Sequence, residues 1–138
     1  MGSLGSEHWG DAAPASRLSA VLAASNRAIV YERDSRRLLD EVCRVAVEVG
    51  GMRMAYIVLV GSGSDDLTLA ARRGVSVEAL AAMGEAVTAD PLRGRGPVQR
   101  AITERRSTVS QDVATDPNAE PWRGMALDAG LLSTAAIP

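Results

Sequence analysis

Arginine, aspartate and a single thiol are the side chains of this sequence with chemistry to offer. The stretch Asp90 to Pro97 reads DPLRGRGP and sets Arg93 and Arg95 between glycines, ahead of a proline suited to the first position of a helix. Open amides at that helix start, with two guanidinium groups beside them, can hold an anionic group. The plainer reading of the same residues is a glycine-rich connection carrying two solvated arginines. No Lys-Ser/Thr follows, so this is not a Walker loop, and the glycines do not have the spacing of a dinucleotide fingerprint. Asp112 and Asp116 flank a turn-rich connection. Such a pair can exchange protons, but capping and turn hydrogen bonds call for the same residues. Cys43 falls on an apolar helical stripe and reads as a buried structural thiol rather than a reactive one. His8 is the only histidine and sits near the N-terminus. With no second histidine or further cysteine there is no zinc set, no Ser-His-Asp or Cys-His pairing, and no haem ligand inside the domain. No catalytic constellation emerges.

The elements that must position these residues start with Leu38 to Val60. Leu38, Leu39, Val42, Cys43, Ala46 and Val49 mark one helical face, with Asp34 or Ser35 as its cap. Gly50 is the expected left-handed terminus. MRMAYIVLV then reads as a strand, with Met54, Tyr56, Val58 and Val60 on one face and Ala55, Ile57 and Leu59 on the other. Both faces are apolar, which predicts a strand inside a sheet covered on both sides. Ahead of it, residues 16–30 predict a helix with Leu18, Val21, Leu22 and Ile29 on one face, interrupted by Ser25. That helix can cover the domain's own core or pair with a second copy.

Beyond the central strand, GSGSDD is a turn and LTLAARRG a second strand. Ser76 can cap a helix carrying Val77, Leu80, Ala81 and Met83. Pro97 opens another helix running to about Arg105, STVSQDV is a short strand, and a helix is expected from about Ala119 to Ala129, closed by Gly130. LLSTAAIP is the final strand. The order predicts an α+β domain around a mostly antiparallel sheet. Trp122 stands out in a chain without phenylalanine, and can line a pocket or anchor its helix to the sheet.

Composition bounds the function. The 138 residues hold one domain at most, and 46% hydrophobic with 23% charged residues is ordinary globular content. A net charge of -2 gives no general pull toward nucleic acid or anionic membrane. No apolar run reaches the roughly 18 residues of a membrane span. One cysteine excludes an internal disulfide framework and fits a cytoplasmic setting. Residues 1–15 read as a flexible leader or cloning remnant, leaving 16–138 as the domain. All fifteen basic residues are arginine, which with the alanine content points to a GC-rich coding bias.

Taken together, LLDEVCRVAVEVGGMRMAYIVLV, DPLRGRGPVQRAITERRSTVSQDVATDP and EPWRGMALDAGLLSTAAIP resemble a GAF domain, from about Ala28 to Pro138. The variety is that found in bacterial GGDEF/EAL or histidine-kinase signalling proteins. The resemblance implies a profilin-like antiparallel central sheet flanked by helices, and a sensory pocket on one face. By position, Tyr56, Val58, Leu92, Arg93 and Val98 would line that pocket, with Asp112, Trp122, Met125 and Ser133 closing it. The single cysteine lies on the central helix, so no covalent bilin is expected, and the cyclic-nucleotide signature NKFDE is absent.

What the resemblance implies is a non-catalytic sensor of a small anionic or organic ligand, dimeric, controlling cyclic-di-GMP turnover or a kinase through an attached output domain. A dimerisation module with a filled core is the alternative. A free-standing enzyme like the GAF-like methionine sulfoxide reductases would need pocket cysteines. The family's sheet gains a further, central strand and a final helix, so the chain is expected to stop short of both. Its open edges would then pair with a second copy.

Overall fold

The Asp34 carboxylate accepts from the N–H groups of Arg36 and Arg37 at 2.9 and 3.1 Å, and so starts the helix that carries Cys43. The computed structural model describes residues 8–63, 66–88 and 96–138. They form two compact units. One holds the described residues up to Leu59 together with Thr68–Val75, the other Val60–Leu67 and Ser76–Pro138. In chain order the helices are α1 (His8–Tyr31), α2 (Ser35–Arg44), α3 (Val77–Thr88), α4 (Pro97–Glu104) and α5 (Arg123–Asp128). The strands are β1 (Ala55–Val60), β2 (Leu67–Arg73), β3 (Thr108–Ser110) and β4 (Thr134–Ala136). The architecture is α+β, in the order the sequence predicts.

In the first unit α2 does not run straight to its glycines. Val45–Val49 widen into a π-turn, closed by Gly50 N–H to Val45 O at 2.8 Å and Met52 N–H to Ala46 O at 3.1 Å. The second bond spans one residue more than a Schellman closure does. The extra residue moves the left-handed position from Gly50, at φ -74°, to Gly51, at φ 73°. It also rotates the helical face. Cys43 and Val45 are both 1% exposed, whereas Val42, on the expected stripe, is 37% exposed.

Helix α1 spans His8–Tyr31, against the expected start at Ser16, and of its expected face only Val21 turns inward. Ala28 is buried, with Val21, Ala24 and Ser25 half-buried one and two turns away. Leu18, Leu22 and Ile29 stay exposed. Small residues win that face because α1 packs on α2 and on the π-turn, where only short side chains let two backbones come close. Strand β1 differs too. None of its residues is buried, Leu59 and Val60 are exposed, and among the described residues its one strand neighbour is β2. The strands therefore form two two-stranded sheets, β1–β2 and β3–β4, where the strand's apolar faces predicted a doubly covered central position.

In the second unit Ser76 caps α3, its hydroxyl accepting from Ala79 N–H at 3.1 Å. Pro97 takes the first turn of α4, and Arg105 ends that helix in the left-handed region at φ 52°. Strands β3 and β4 pair antiparallel, with Thr108 opposite Ala136 and Ser110 opposite Thr134. Helix α5 starts at Arg123 and not Ala119, because Pro117–Ala119 form a 3-10 turn capped by Asp116. Ala101, Val113, Ala119, Trp122, Ala126 and Leu131 make this unit's apolar core.

Candidate ligand site in the second unit

Alternation along β3 turns Thr108 and Ser110 inward, at 5% and 8% exposure, and leaves Val109 outside. Two polar side chains thus enter a core. Thr108 settles by donating its hydroxyl to Pro97 O at 3.0 Å, which ties β3 to the start of α4. Ser110 Oγ makes no hydrogen bond of ordinary geometry, and neither does Thr134 Oγ1 on the residue opposite it. Trp122, 5% exposed at the start of α5, holds a buried indole Nε1–H that likewise has no partner among the described residues. Most buried polar groups in proteins are paired, so an unpaired group in a native core needs an explanation.

Thr108, Ser110 and Trp122 meet at a small hollow. Pro97 and Arg100 of α4, Thr108, Val109 and Ser110 of β3, Asp116, Asn118 and Trp122 line it. Its volume is ≈ 10 Å³, about the room that one water molecule needs. Asp116 accepts from Asn118 N–H at 2.9 Å. The neighbouring Ser110 hydroxyl, the Asn118 amide and the Arg100 charge outweigh burial and hold this carboxyl below its ordinary value. Arg100 also reaches Glu104, at 3.4 Å. The wall is braced from behind by Arg123, whose guanidinium donates to Val113 O at 3.1 Å and Asp116 O at 2.7 Å.

Of the residues the sequence put forward, Trp122 is at this hollow. Val98 is half-buried on α4, Met125 is half-buried on α5, and Ser133 is exposed just before β4. Asp112 is exposed and works as a cap, accepting from Ala114 N–H at 3.1 Å and from the Thr115 hydroxyl at 3.0 Å. Asp116 caps the 3-10 turn in the same manner, so the pair serves turns, as the capping reading holds. Tyr56 and Val58 are half-buried on β1 in the first unit, and burial pushes the Tyr56 phenol up. Leu92, Arg93 and Arg95 lie outside the described residues. Arg100, Ser110 and Asn118 were not anticipated. The polar pair Thr108 and Ser110, two apart in a strand, was the available signal.

The first unit has a larger hollow, ≈ 390 Å³ and open, lined by Asp40, Leu69, Ala70, Ala71 and Arg72. Among the described residues no buried unpaired polar atom belongs to its lining. Cys43 is sealed, and burial raises its thiol, with Asp40 adding to the effect. Among the described residues no group of three or more His, Cys, Asp and Glu is placed to hold a metal, and no helix is long and apolar enough to cross a membrane.

The described residues thus form an α+β fold with two small sheets and a polar hollow in the second unit. The chain belongs to the GAF family, whose GAF domain profile matches residues 32–138. GAF domains are generally non-catalytic regulatory modules. No curated protein matches the chain.

Proposed function

We propose that this chain is the sensory domain of a bacterial signalling protein, and that it binds a small ligand and regulates an attached output domain. The output would control cyclic-di-GMP turnover or act as a kinase, in the cytoplasm. One observation carries the ligand-binding part: Trp122 lines the hollow, and its buried Nε1–H has no partner among the described residues. Val98, Asp112, Met125 and Ser133 of the same unit, with Leu92 and Arg93, are proposed as further contacts beyond that lining. A native mass spectrum of the protein as purified, with a thermal-shift screen of nucleotides and organic acids, tests the reading. A retained mass or a specific rise in Tm supports it. No retained mass and no stabilisation by any compound would remove it.

A second reading, a dimerisation module with a filled core, is favoured by Leu18, Leu22 and Ile29. They are 60%, 55% and 63% exposed along α1, an apolar row that no described residue covers. Light scattering on the wild type and on Leu22→Glu separates the two, since a filled-core module would dimerise through α1 and bind nothing.

A further inference from the structure

We propose that α1 and the π-turn form a two-state device, in which α1 seated on Gly50 and Gly51 holds Val45–Val49 in the wide register. When α1 lifts, the turn closes as an ordinary α-helix that ends one residue earlier, at Gly50. The wide register needs something to hold it. Val45–Val49 reads VAVEV, with no glycine or proline to break an α-helix, and π-turns are rare. The contacts of α1 supply the cause. A Cβ on Gly50 would lie 3.4 Å from Val21 Cγ2, and one on Gly51 would lie 3.3 Å from Nη1 and 3.5 Å from Cζ of Arg17. Helix α1 therefore rests on two bare Cα atoms at the end of the turn.

In the wide register the two positions that close the helix are Gly50, at φ -74°, and Gly51, at φ 73°. In the α register those positions pass to Val49 and Gly50. Val49 then puts a branched side chain where Val21 now meets bare backbone. Only the wide register brings both glycines under α1, so docking of α1 favours it. That is the differential interaction a two-state element requires. The exchange itself is small. Ala46 O now accepts from Met52 N–H at 3.1 Å, and in the α register it accepts from Gly51 N–H instead. One residue passes to the connection 52–54, directly ahead of β1. Helix α1 precedes the residues that the GAF profile matches, 32–138. The device thus links a helix outside the matched residues to the first strand inside them. It works with or without a ligand, so it goes beyond the sensory reading.

The test is NMR on the full chain labelled with ¹³C and ¹⁵N. In the wild type, cross peaks should join the Val21 methyl protons to the Gly50 Hα protons, and Gly51 should show the left-handed φ. Ala28→Glu puts a charge into the buried face of α1 and should lift it. The Val21 cross peaks should then vanish, and Gly50 should become the left-handed residue. Gly51→Ala runs the coupling the other way, since a residue with a Cβ resists the left-handed region. It should move the turn to the α register and remove the same cross peaks. A variant in which α1 has lifted while residue 51 stays left-handed would overturn the proposal. So would Gly51→Ala with α1 still seated. Gly51 is exposed, so this second variant decides the matter if Ala28→Glu fails to fold or to lift α1. The sensory reading fails separately, on the ligand screen.

Discussion

The two units bury different kinds of side chain. In the first, the buried set is Ala28, Cys43, Val45 and Ala71, with no polar residue among them. Its charges stay at the surface and pair there: Arg44 with Glu41 at 2.5 Å and with Glu48 at 3.0 Å, and Arg73 with Glu48. In the second, Thr108, Ser110 and Trp122 bring hydroxyls and an indole N–H inside. Apolar burial stabilises by about 25 cal/mol per Å² and asks for no partner. A buried donor or acceptor left unpaired costs about 1–3 kcal/mol. A core that tolerates such groups is either badly made or made to meet something. The first unit therefore reads as packing, and the second as the place where chemistry meets the fold.

Breaking the packing side of that contrast should give the largest effect. A Cβ on Gly74 would lie 2.3 Å from the carbonyl oxygen of Arg53, and Gly74 sits at φ 73°. Gly74→Val should destabilise by roughly 2–5 kcal/mol, combining a backbone collision with a left-handed β-branched residue. Urea denaturation measures it. A midpoint near wild type would mean that the close approach is not held in solution. Cys43→Ser comes next. A hydroxyl in place of the sealed thiol should cost about 1–3 kcal/mol, and the native thiol should react slowly with a thiol probe until the protein unfolds. Rapid labelling of the folded protein would move Cys43 out of the packed core and weaken the contrast.

How much of this was legible in the sequence follows from which forces are local. Asp34, Ser76 and Pro97 were readable because a cap or a first-turn proline acts within one turn of its own helix. The order of helices and strands came through for the same reason, as did the burial of Cys43. The π-turn did not, since one inserted residue leaves the hydrophobic spacing almost unchanged and yet exchanges Val42 for Val45 in the core. The inward face of α1 was missed because pattern reading favours large apolar residues, while close helix packing selects Ala28 and its small neighbours. The hollow was hardest. Its lining comes from α4, β3 and the 3-10 turn, and only tertiary structure brings Arg100, Ser110 and Trp122 together.

A third prediction sharpens the polar side through pH. Asp116 has its folded pKa lowered, so its contribution to stability is fully present above the ordinary carboxylate value. It is lost as pH falls through the lowered folded one. Ser110→Ala removes the largest cause of that lowering, so the Asp116 titration followed by NMR should move up toward the ordinary value. Asp116→Asn should flatten part of the acid limb of a Tm-against-pH curve. An unmoved titration in Ser110→Ala would mean that the hydroxyl does not face the carboxylate.

The smallest effect belongs to the surface charges of the first unit. Glu48 is the hub, accepting from Arg73 on β2 and from Arg44 one helical turn away, and both hold its carboxyl below the ordinary value. Since Glu48 lies in the π-turn, this network could be what keeps that turn wide. The exposure of the pairs argues against it: Arg73 and Glu48 side chains are 49% and 41% exposed, so water competes for every bond they make. Glu48→Gln should therefore lower Tm only slightly at low ionic strength. The gap should close in about 1 M salt, where charges are screened beyond about 3 Å. If the loss were large and persisted in salt, the charges would be holding the backbone. The first unit would then depend on polar contacts as much as the second, and the contrast between the two would fall.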